Sequence, residues 1–247
     1  MDRLAYASMS GMRTAMARQA ATANNLANAN TVGFRADIAT ASALWAMGTG
    51  LNSRALSSEE VVAADMRGGA ISETGRTLDV ALQDDAMLAV QAEDGEEAYT
   101  RRGDLKITET GLLINGDGTP VLGEGGPITL PPHDSLTIDA QGMISIVPEG
   151  GDPKTPQEID RLKLASPAGS RIVKGMDGLF RVRGGGALPA DPDARLVSGA
   201  LEGSNVNTSQ ALVEMIEASR AWETQVKMLA TAKDIDTDAA QLMRLPD

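Results

Sequence analysis

The chain has 247 residues, 42% of them apolar, which is enough to bury a core in one or two domains and excludes a disordered polymer. A formal net charge of −12 disfavours non-specific binding to nucleic acid or to an anionic membrane surface. The absence of cysteine excludes disulfides and thiolate metal sites, and an aromatic content of 2% points to thin layers and helix seams instead of one large interior.

Charge is uneven along the chain. Residues 1–36 carry Arg3, Arg13, Arg18 and Arg35 against Asp2, whereas residues 205–247 carry Arg220, Lys227, Lys233 and Arg244 against Glu214, Glu217, Glu223, Asp234, Asp236, Asp238 and Asp247. The two ends are therefore complementary in sign. Arg13 and Arg18 interrupt any apolar run of the kind a cleaved secretion signal needs. No stretch approaches the ~18 apolar residues of a membrane span, so stable membrane insertion is not expected.

At the N-terminus, Ala5, Met9, Met12, Met16, Gln19, Ala23, Leu26 and Asn30 recur at alternating spacings of four and three, a heptad-like seam imperfect at Gln19 and Asn30. The pattern predicts a helix roughly 40 Å long at 1.5 Å per residue. It runs into "ANNLANANTVGF" (23–34), where Gly33 is suited to the left-handed conformation that closes a helix. Asn24, Asn25, Asn28 and Asn30 are unusual there, because asparagine forms helices poorly and prefers caps and turns. Their amides either satisfy backbone groups of neighbouring subunits in a packed array or cap their own chain.

Residues 36–77 mix small, polar and glycine residues without a clean period and read as an extended or partly stranded connector. From 78 to 196 the periodicity turns to β. "LKITETGLLI" (105–114) aligns with "LTIDAQGMIS" (136–145), and "IVKGMDGLFRV" (172–182) is a looser third copy. A glycine at a fixed place in each, Gly111, Gly142 and Gly178, predicts hairpins with a positive-φ bulge residue. "RGGGALPADPDAR" (183–195) reads as a surface loop. Residues 197–204 form a second connector, after which Asn207 or Thr208 caps a helix whose apolar stripe is Leu212, Met215, Ser219, Trp222, Val226 and Leu229. Beyond it the stripe shifts to Ala232, Ile235, Ala239 and Leu242, a stutter.

The fold class is thus α+β: residues 1–35 and 205–247 form long terminal helices packed together in a coiled-coil-like domain, and residues 78–196 form a β-rich hairpin domain. Helices that long cannot bury all their apolar surface against each other, so self-association is the expected consequence.

Catalytic chemistry has thin support. Asp84-Asp85 and Glu93, Asp94, Glu96, Glu97 offer paired carboxylates of the kind used in glycan cleavage, but no aromatic sugar platform accompanies them, and turns and solvated faces explain them equally. His133 stands alone beside Pro131-Pro132. "DIDTDAAQLMRL" (234–245) begins like a calcium loop, yet Ala239 and Leu245 occupy the positions where glycine and glutamate are needed, so it reads as helix surface. The glycine runs 123–126 and 184–186 lack the strand-glycine-helix context of a phosphate loop. No catalytic residue, metal or cofactor is assigned.

Three motifs, in order along the whole chain, resemble the axial proteins of the bacterial flagellum, rod and hook. "ANNLANANTVGFR" is similar to the family's N-terminal signature. "LDVALQDDAMLAVQ" with "YTRRGDLKITETGLLINGDGTPVLGEGGPI" (78–128) is similar to the start of its β domain, through Leu78, Asp79, Val80, Tyr99, Thr100, Arg101, Gly103 and Gly111. "GALEGSNVN" and "MIEASRAWE" (within 199–223) are similar to its C-terminal signature. One departure is Ala86-Met87-Leu88 where many members read Gly-Phe-Phe; with the overall length, it favours a proximal-rod over a distal-rod subunit.

The resemblance implies a structural, non-enzymatic subunit whose terminal helices line a tube around a central channel, with β domains outside. It implies copies of the chain and neighbouring proximal and distal rod subunits as partners, export by the flagellar type III apparatus without a cleaved signal, and residence in the periplasmic basal body. The implied assembly interface comprises Met9, Met12, Met16, Asn24, Asn25, Leu26, Asn28, Asn30, Gly33 and Phe34. On the C-terminal side it comprises Leu201, Glu202, Ser204, Asn205, Val206, Leu212, Met215, Ile216, Arg220, Trp222, Val226 and Leu229.

Overall fold

The computed structural model describes residues 2–45 and 55–242; residues 46–54 of the expected connector and 243–247, with Leu245, lie outside the described residues. The chain opens with α1 (Asp2–Ala27), followed by β1 (Asp37–Trp45), β2 (Ala55–Ala64), β3 (Ile71–Glu73), β4 (Val80–Leu82), β5 (Met87–Gln91), β6 (Glu97–Thr100), β7 (Lys106–Ile107) and β8 (Leu113–Ile114). Then come β9 (His133–Ile138), β10 (Met143–Pro148), β11 (Gln157–Arg161), β12 (Leu164–Ala165), β13 (Ile172–Lys174), β14 (Phe180–Val182), β15 (Leu196–Ser198), β16 (Ala200–Glu202) and α2 (Thr208–Leu242). The chain is α+β.

Two compact units form. One comprises residues 1–27, 37–63 and 207–247; the other comprises 28–36 and 64–206. In the first, α1 and α2 lie against each other, and β1 pairs with β2 in a two-stranded sheet whose first strand also packs on α1. The stretch read as a connector thus contains β1, β2 and β3.

The second unit is built on a five-stranded antiparallel sheet in the order β12-β5-β6-β14-β13. Side chains alternate across a strand, so β5 serves two cores: Leu88 and Val90 join Val80, Leu105, Leu113, Ile128, Ile144 and Leu162 on one side, while Met87 and Ala89 join Tyr99, Phe180 and Leu188 on the other. Met87 and Leu88 are fully buried, each contributing roughly 1.5–3 kcal/mol by removal from water. The departure from Gly-Phe-Phe is therefore absorbed by a methionine that fills the space beside the two aromatics. The β9-β10-β11 sheet is antiparallel as well, with Ile144 and Ile146 of β10 inside the first core.

The repeated glycine motif has one physical form. Gly111, Gly142 and Gly178 donate their N–H to the carbonyl three residues back, at 2.9, 3.0 and 3.1 Å, and stand at φ 82°, 82° and 79°. The residue that accepts then donates to the carbonyl just past the glycine: Thr108 to Leu112, Asp139 to Met143 and Gly175 to Leu179. This is a type I turn closed by a left-handed residue, a site where a Cβ is penalised. The same turn recurs at Gly95 and Gly118, which the sequence alignment of repeats did not include.

Candidate assembly interface

From Ala211 to Ala232 of α2 the side chains withdrawn from solvent are Ala211, Met215, Ala218, Trp222, Gln225, Leu229 and Ala232, an unbroken four-three alternation. In α1 they include Ser8, Met12, Ala15, Thr22 and Leu26. Gly11 leaves room for the end of the Gln225 side chain: a methyl there would stand 2.8 Å from its amide carbon. This corrects the seam read from the sequence. Met9, Met16, Gln19 and Ala23 of α1, and Leu212, Ser219 and Val226 of α2, are exposed, one heptad position away from the packed face. The packed face combines Ser8, Ala15, Ala211, Ala218 and Ala232 with Met12, Leu26, Met215, Trp222 and Leu229, and the other large apolar residues stand on a second face.

That second face is well populated. Met9 and Met16 are 46% and 55% exposed, and Leu212, Ile216 and Val226 are 50%, 55% and 42% exposed, with Arg220 exposed on the same helix. Asp234, Asp236 and Asp238, from the calcium-like stretch, are exposed positions of α2.

α1 ends at Ala27, before the expected stop, because Asn28 starts a turn: its carbonyl accepts the Thr31 N–H and its Oδ1 the Thr31 hydroxyl, both at 3.1 Å. Asn25 serves its own chain. Its Oδ1 accepts the Asp37 N–H at 2.7 Å and its Nδ2 donates to the Asp37 carbonyl at 3.0 Å, so one amide replaces a strand partner at the start of β1. Asn24 donates to the Asp37 carboxylate at 2.7 Å, and Asn30 is exposed. At the start of α2, Asn207 Oδ1 accepts the Gln210 N–H at 3.1 Å as N-cap.

Within the β unit, residues from three distant stretches meet in a buried ionic junction. Glu202 receives Arg35 Nη2 on Oε1 at 2.7 Å and Arg101 Nε on Oε2 at 2.8 Å, and all three side chains are 3% exposed or less. Gly69 donates its N–H to Glu202 Oε1 at 2.8 Å. Arg101 also donates to the carbonyls of Leu82, Asp84 and Ala86. Burial pulls the Arg35 guanidinium below its ordinary range, against the upward pull of Glu202. The Glu202 carbonyl accepts the Gly33 N–H at 2.7 Å, and Gly33 stands at φ 67° directly on the Arg101 backbone.

Neighbouring residues extend the junction. Asn205 Oδ1 accepts the Ala36 N–H at 2.8 Å, while its Nδ2 donates to the Asp65 and Arg67 carbonyls at 2.8 and 2.9 Å. Lys174 donates to the Arg35 carbonyl at 2.8 Å and stands 3.8 Å from the Phe34 ring centre. Leu201 pairs with Ser72 in the β16–β3 ladder, and Ser204 accepts the Val206 N–H at 3.2 Å. Of the residues assigned to assembly, Asn28, Asn30, Gly33, Phe34, Leu201, Glu202, Ser204, Asn205 and Val206 therefore lie in the β unit. Sequence reasoning did not connect Arg35 and Arg101 to Glu202; a charged residue beside a positive-φ glycine was the available signal.

Of the acids weighed for catalysis, Asp84, Asp85, Glu93, Asp94 and Glu96 lie between strands and Glu97 opens β6. Asp84 is at φ 47° in the turn before β5, Asp94 Oδ1 accepts the Glu96 N–H, and Glu97 is held by Lys163 and by the Tyr99 hydroxyl. Burial, with the Glu97 hydrogen bond, pushes the Tyr99 phenol well above its ordinary range. His133 faces the Pro131 carbonyl at 2.8 Å.

Two terminal helices, a β body of repeated hairpins and a junction linking the three signature stretches agree with the architecture that the resemblance to flagellar axial proteins implies. Three family descriptions match in chain order: "Flagella basal body rod protein" at residues 6–35, "Flagellar hook protein FlgE/F/G D1 domain" at 81–146 and "Flagellar basal body rod FlgEFG protein C-terminal" at 197–242. Arg35, Arg101 and Glu202 fall one in each. The chain is 41% identical over 251 residues to the flagellar basal-body rod protein FlgF of Salmonella typhimurium, covering 99% of this chain and 100% of the relative, and equally so to FlgF of Escherichia coli. It is 33% identical over 267 residues to the flagellar basal-body rod protein FlgG of Bacillus subtilis, covering 99% and 100%. The chain belongs to the flagellar basal-body rod protein family.

Proposed function

We propose that the chain is a structural subunit of the proximal rod that self-assembles through its terminal helices into a helical tube enclosing the export channel and carrying torque. The observation that carries this reading is the apolar second face of the helices: Met9 and Met16 on α1, Leu212, Ile216 and Val226 on α2, half exposed in a chain of the rod family. The basic outer positions of α1, Arg13 and Arg18, suit the acidic Glu214, Glu217 and Glu223 of a neighbouring copy. A contact between two different faces is head-to-tail, and repeated without closing into a ring it generates a helix of subunits.

In this reading the α1–α2 pair packs as a coiled coil through its packed face. Residues 1–35 and 205–247 make the axial core, 36–77 and 197–204 connect, and 78–196 form the outer β domain. Partners are further copies and the adjacent rod subunits, and the chain reaches the periplasmic basal body through the flagellar type III apparatus without a cleaved signal.

Mass spectrometry of purified hook–basal bodies, with a deletion strain beside it, tests the proposal. The chain is expected in the particle, and the deletion strain is expected to stall before distal rod and hook. A particle without the chain and a strain that swims normally would overturn it.

A further inference from the structure

We infer that Glu202 is a charge latch that closes the β unit last, when the C-terminal segment of the chain reaches it. The inference rests on the buried junction alone and stands apart from the reading of the terminal helices. Two guanidinium groups share the Glu202 carboxylate, and the next carboxylate that acts on Arg35, Asp65, is bonded to the exposed Arg67. The two arginines depend on it unequally. Arg101 is also wired to the carbonyls of Leu82, Asp84 and Ala86, and those bonds come from its own neighbourhood in the fold. Arg35 has Glu202 as its side-chain ion-pair partner, and its Nε and Nη1 are buried with no hydrogen-bond partner among the described residues.

Burying a guanidinium is costly unless it is paired, and two of them side by side add mutual repulsion. Without the Glu202 carboxylate, the state of lowest free energy has Arg35 in water. The stretch bearing Arg35 then loosens with it, because three of its backbone groups are tied to residues 202–205: the Gly33 N–H to the Glu202 carbonyl, the Ala36 N–H to Asn205, and the Phe34 carbonyl from the Asn205 N–H. Its other ties include the Lys174 ammonium on the Arg35 carbonyl and the Asp65 N–H on the Ala36 carbonyl. Residues 65–69 share this dependence, since the Asp65 and Arg67 carbonyls are held by Asn205 and the Gly69 N–H by Glu202. A methyl on Gly69 would stand 2.1 Å from the Gly203 carbonyl oxygen, so no other side chain substitutes for this close approach.

Ala36 and Asp65 are joined directly by one backbone hydrogen bond, but the charges of Arg35 and Arg101 are compensated together once the segment 167 residues beyond Arg35 is in place. A chain that emerges N-terminus first keeps its signature stretch 33–36 in solvent until residues 202–205 arrive. The β9-β10-β11 sheet, with none of these ties, forms independently of the latch.

Hydrogen–deuterium exchange of the full-length chain tests this with three variants. Glu202→Gln keeps the shape and removes the charge; exchange at 33–36 and 65–69 is expected to rise by about a hundredfold, while 133–161 stays within a few-fold of wild type. Arg35→Met alone leaves one cation on one carboxylate and is expected to keep 65–69 within a few-fold of wild type. The double variant Arg35→Met/Glu202→Gln is expected to recover protection relative to Glu202→Gln, and it decides the matter even if the single Glu202 variant fails to fold. Unchanged protection in Glu202→Gln, a uniform rise across all sheets, an opening in Arg35→Met as large as in Glu202→Gln, or no recovery in the double variant would each overturn the latch.

Discussion

Gly33→Ala isolates the cost of the close approach at the junction. Gly33 stands at φ 67°, where an L-residue costs about 1–2 kcal/mol. A methyl would also lie 2.4 Å from both the carbonyl carbon and oxygen of Arg101 and 2.6 Å from the Arg102 nitrogen. These are backbone atoms, so no rotamer change relieves the overlap. Residues 33–36 must move outward, lengthening the 2.7 Å bond to the Glu202 carbonyl, for a further ~1–3 kcal/mol. The total is about 2–5 kcal/mol, against the ~5–15 kcal/mol of a typical domain. Gly178→Ala is the control: it stands at φ 79° with open space around it, so only the conformational ~1–2 kcal/mol applies. Urea unfolding of both variants, followed by circular dichroism, gives the steric cost as a difference. Equal destabilisation of the two would refute the argument, because it would mean the Gly33 stretch is not pressed on Arg101.

Asn25→Ala removes both hydrogen bonds to the Asp37 backbone and should cost about 1–3 kcal/mol locally, read as faster exchange of the Asp37 amide; an unchanged amide would return Asn25 to a role outside its own chain. Ile216→Asp places a charge on the exposed face of α2 and should leave the melting of the isolated chain within about 0.5 kcal/mol while abolishing self-association in sedimentation; retained association would remove that face from the assembly surface. The Arg181 guanidinium, bonded to Asp177, holds that carboxyl below its ordinary value of 3.8. A depressed value stabilises the fold above the unfolded pKa and the stabilisation is lost as pH falls through the folded one. Asp177→Asn should therefore flatten the loss of stability as pH falls below the ordinary carboxylate range, measured by thermal melts in acid.

Much of the architecture is local enough to read from residues. The heptad period at each end, the cap at Asn207 and the glycine turns depend on neighbours within one or two turns of chain. Gly111, Gly142 and Gly178 were legible for this reason, and so were the two helices and the hairpin character of residues 105–182. The phase of the helix seam was less so. Leu212, Ser219 and Val226 follow the same spacing as Met215, Trp222 and Leu229 paired with Ala211, Ala218 and Ala232, and alanine adds little amplitude to a hydrophobic pattern.

Family membership, the α+β class and the period of both helices were determined by the sequence by itself, since each rests on short motifs or on spacing along one element. Only the tertiary structure decided which face of that period is packed, because the face is selected by the partner helix and not by spacing along one helix. It alone also brought Arg35, Arg101 and Glu202 together, since a buried charge is compensated by whatever the folded chain delivers to it, across any distance in sequence.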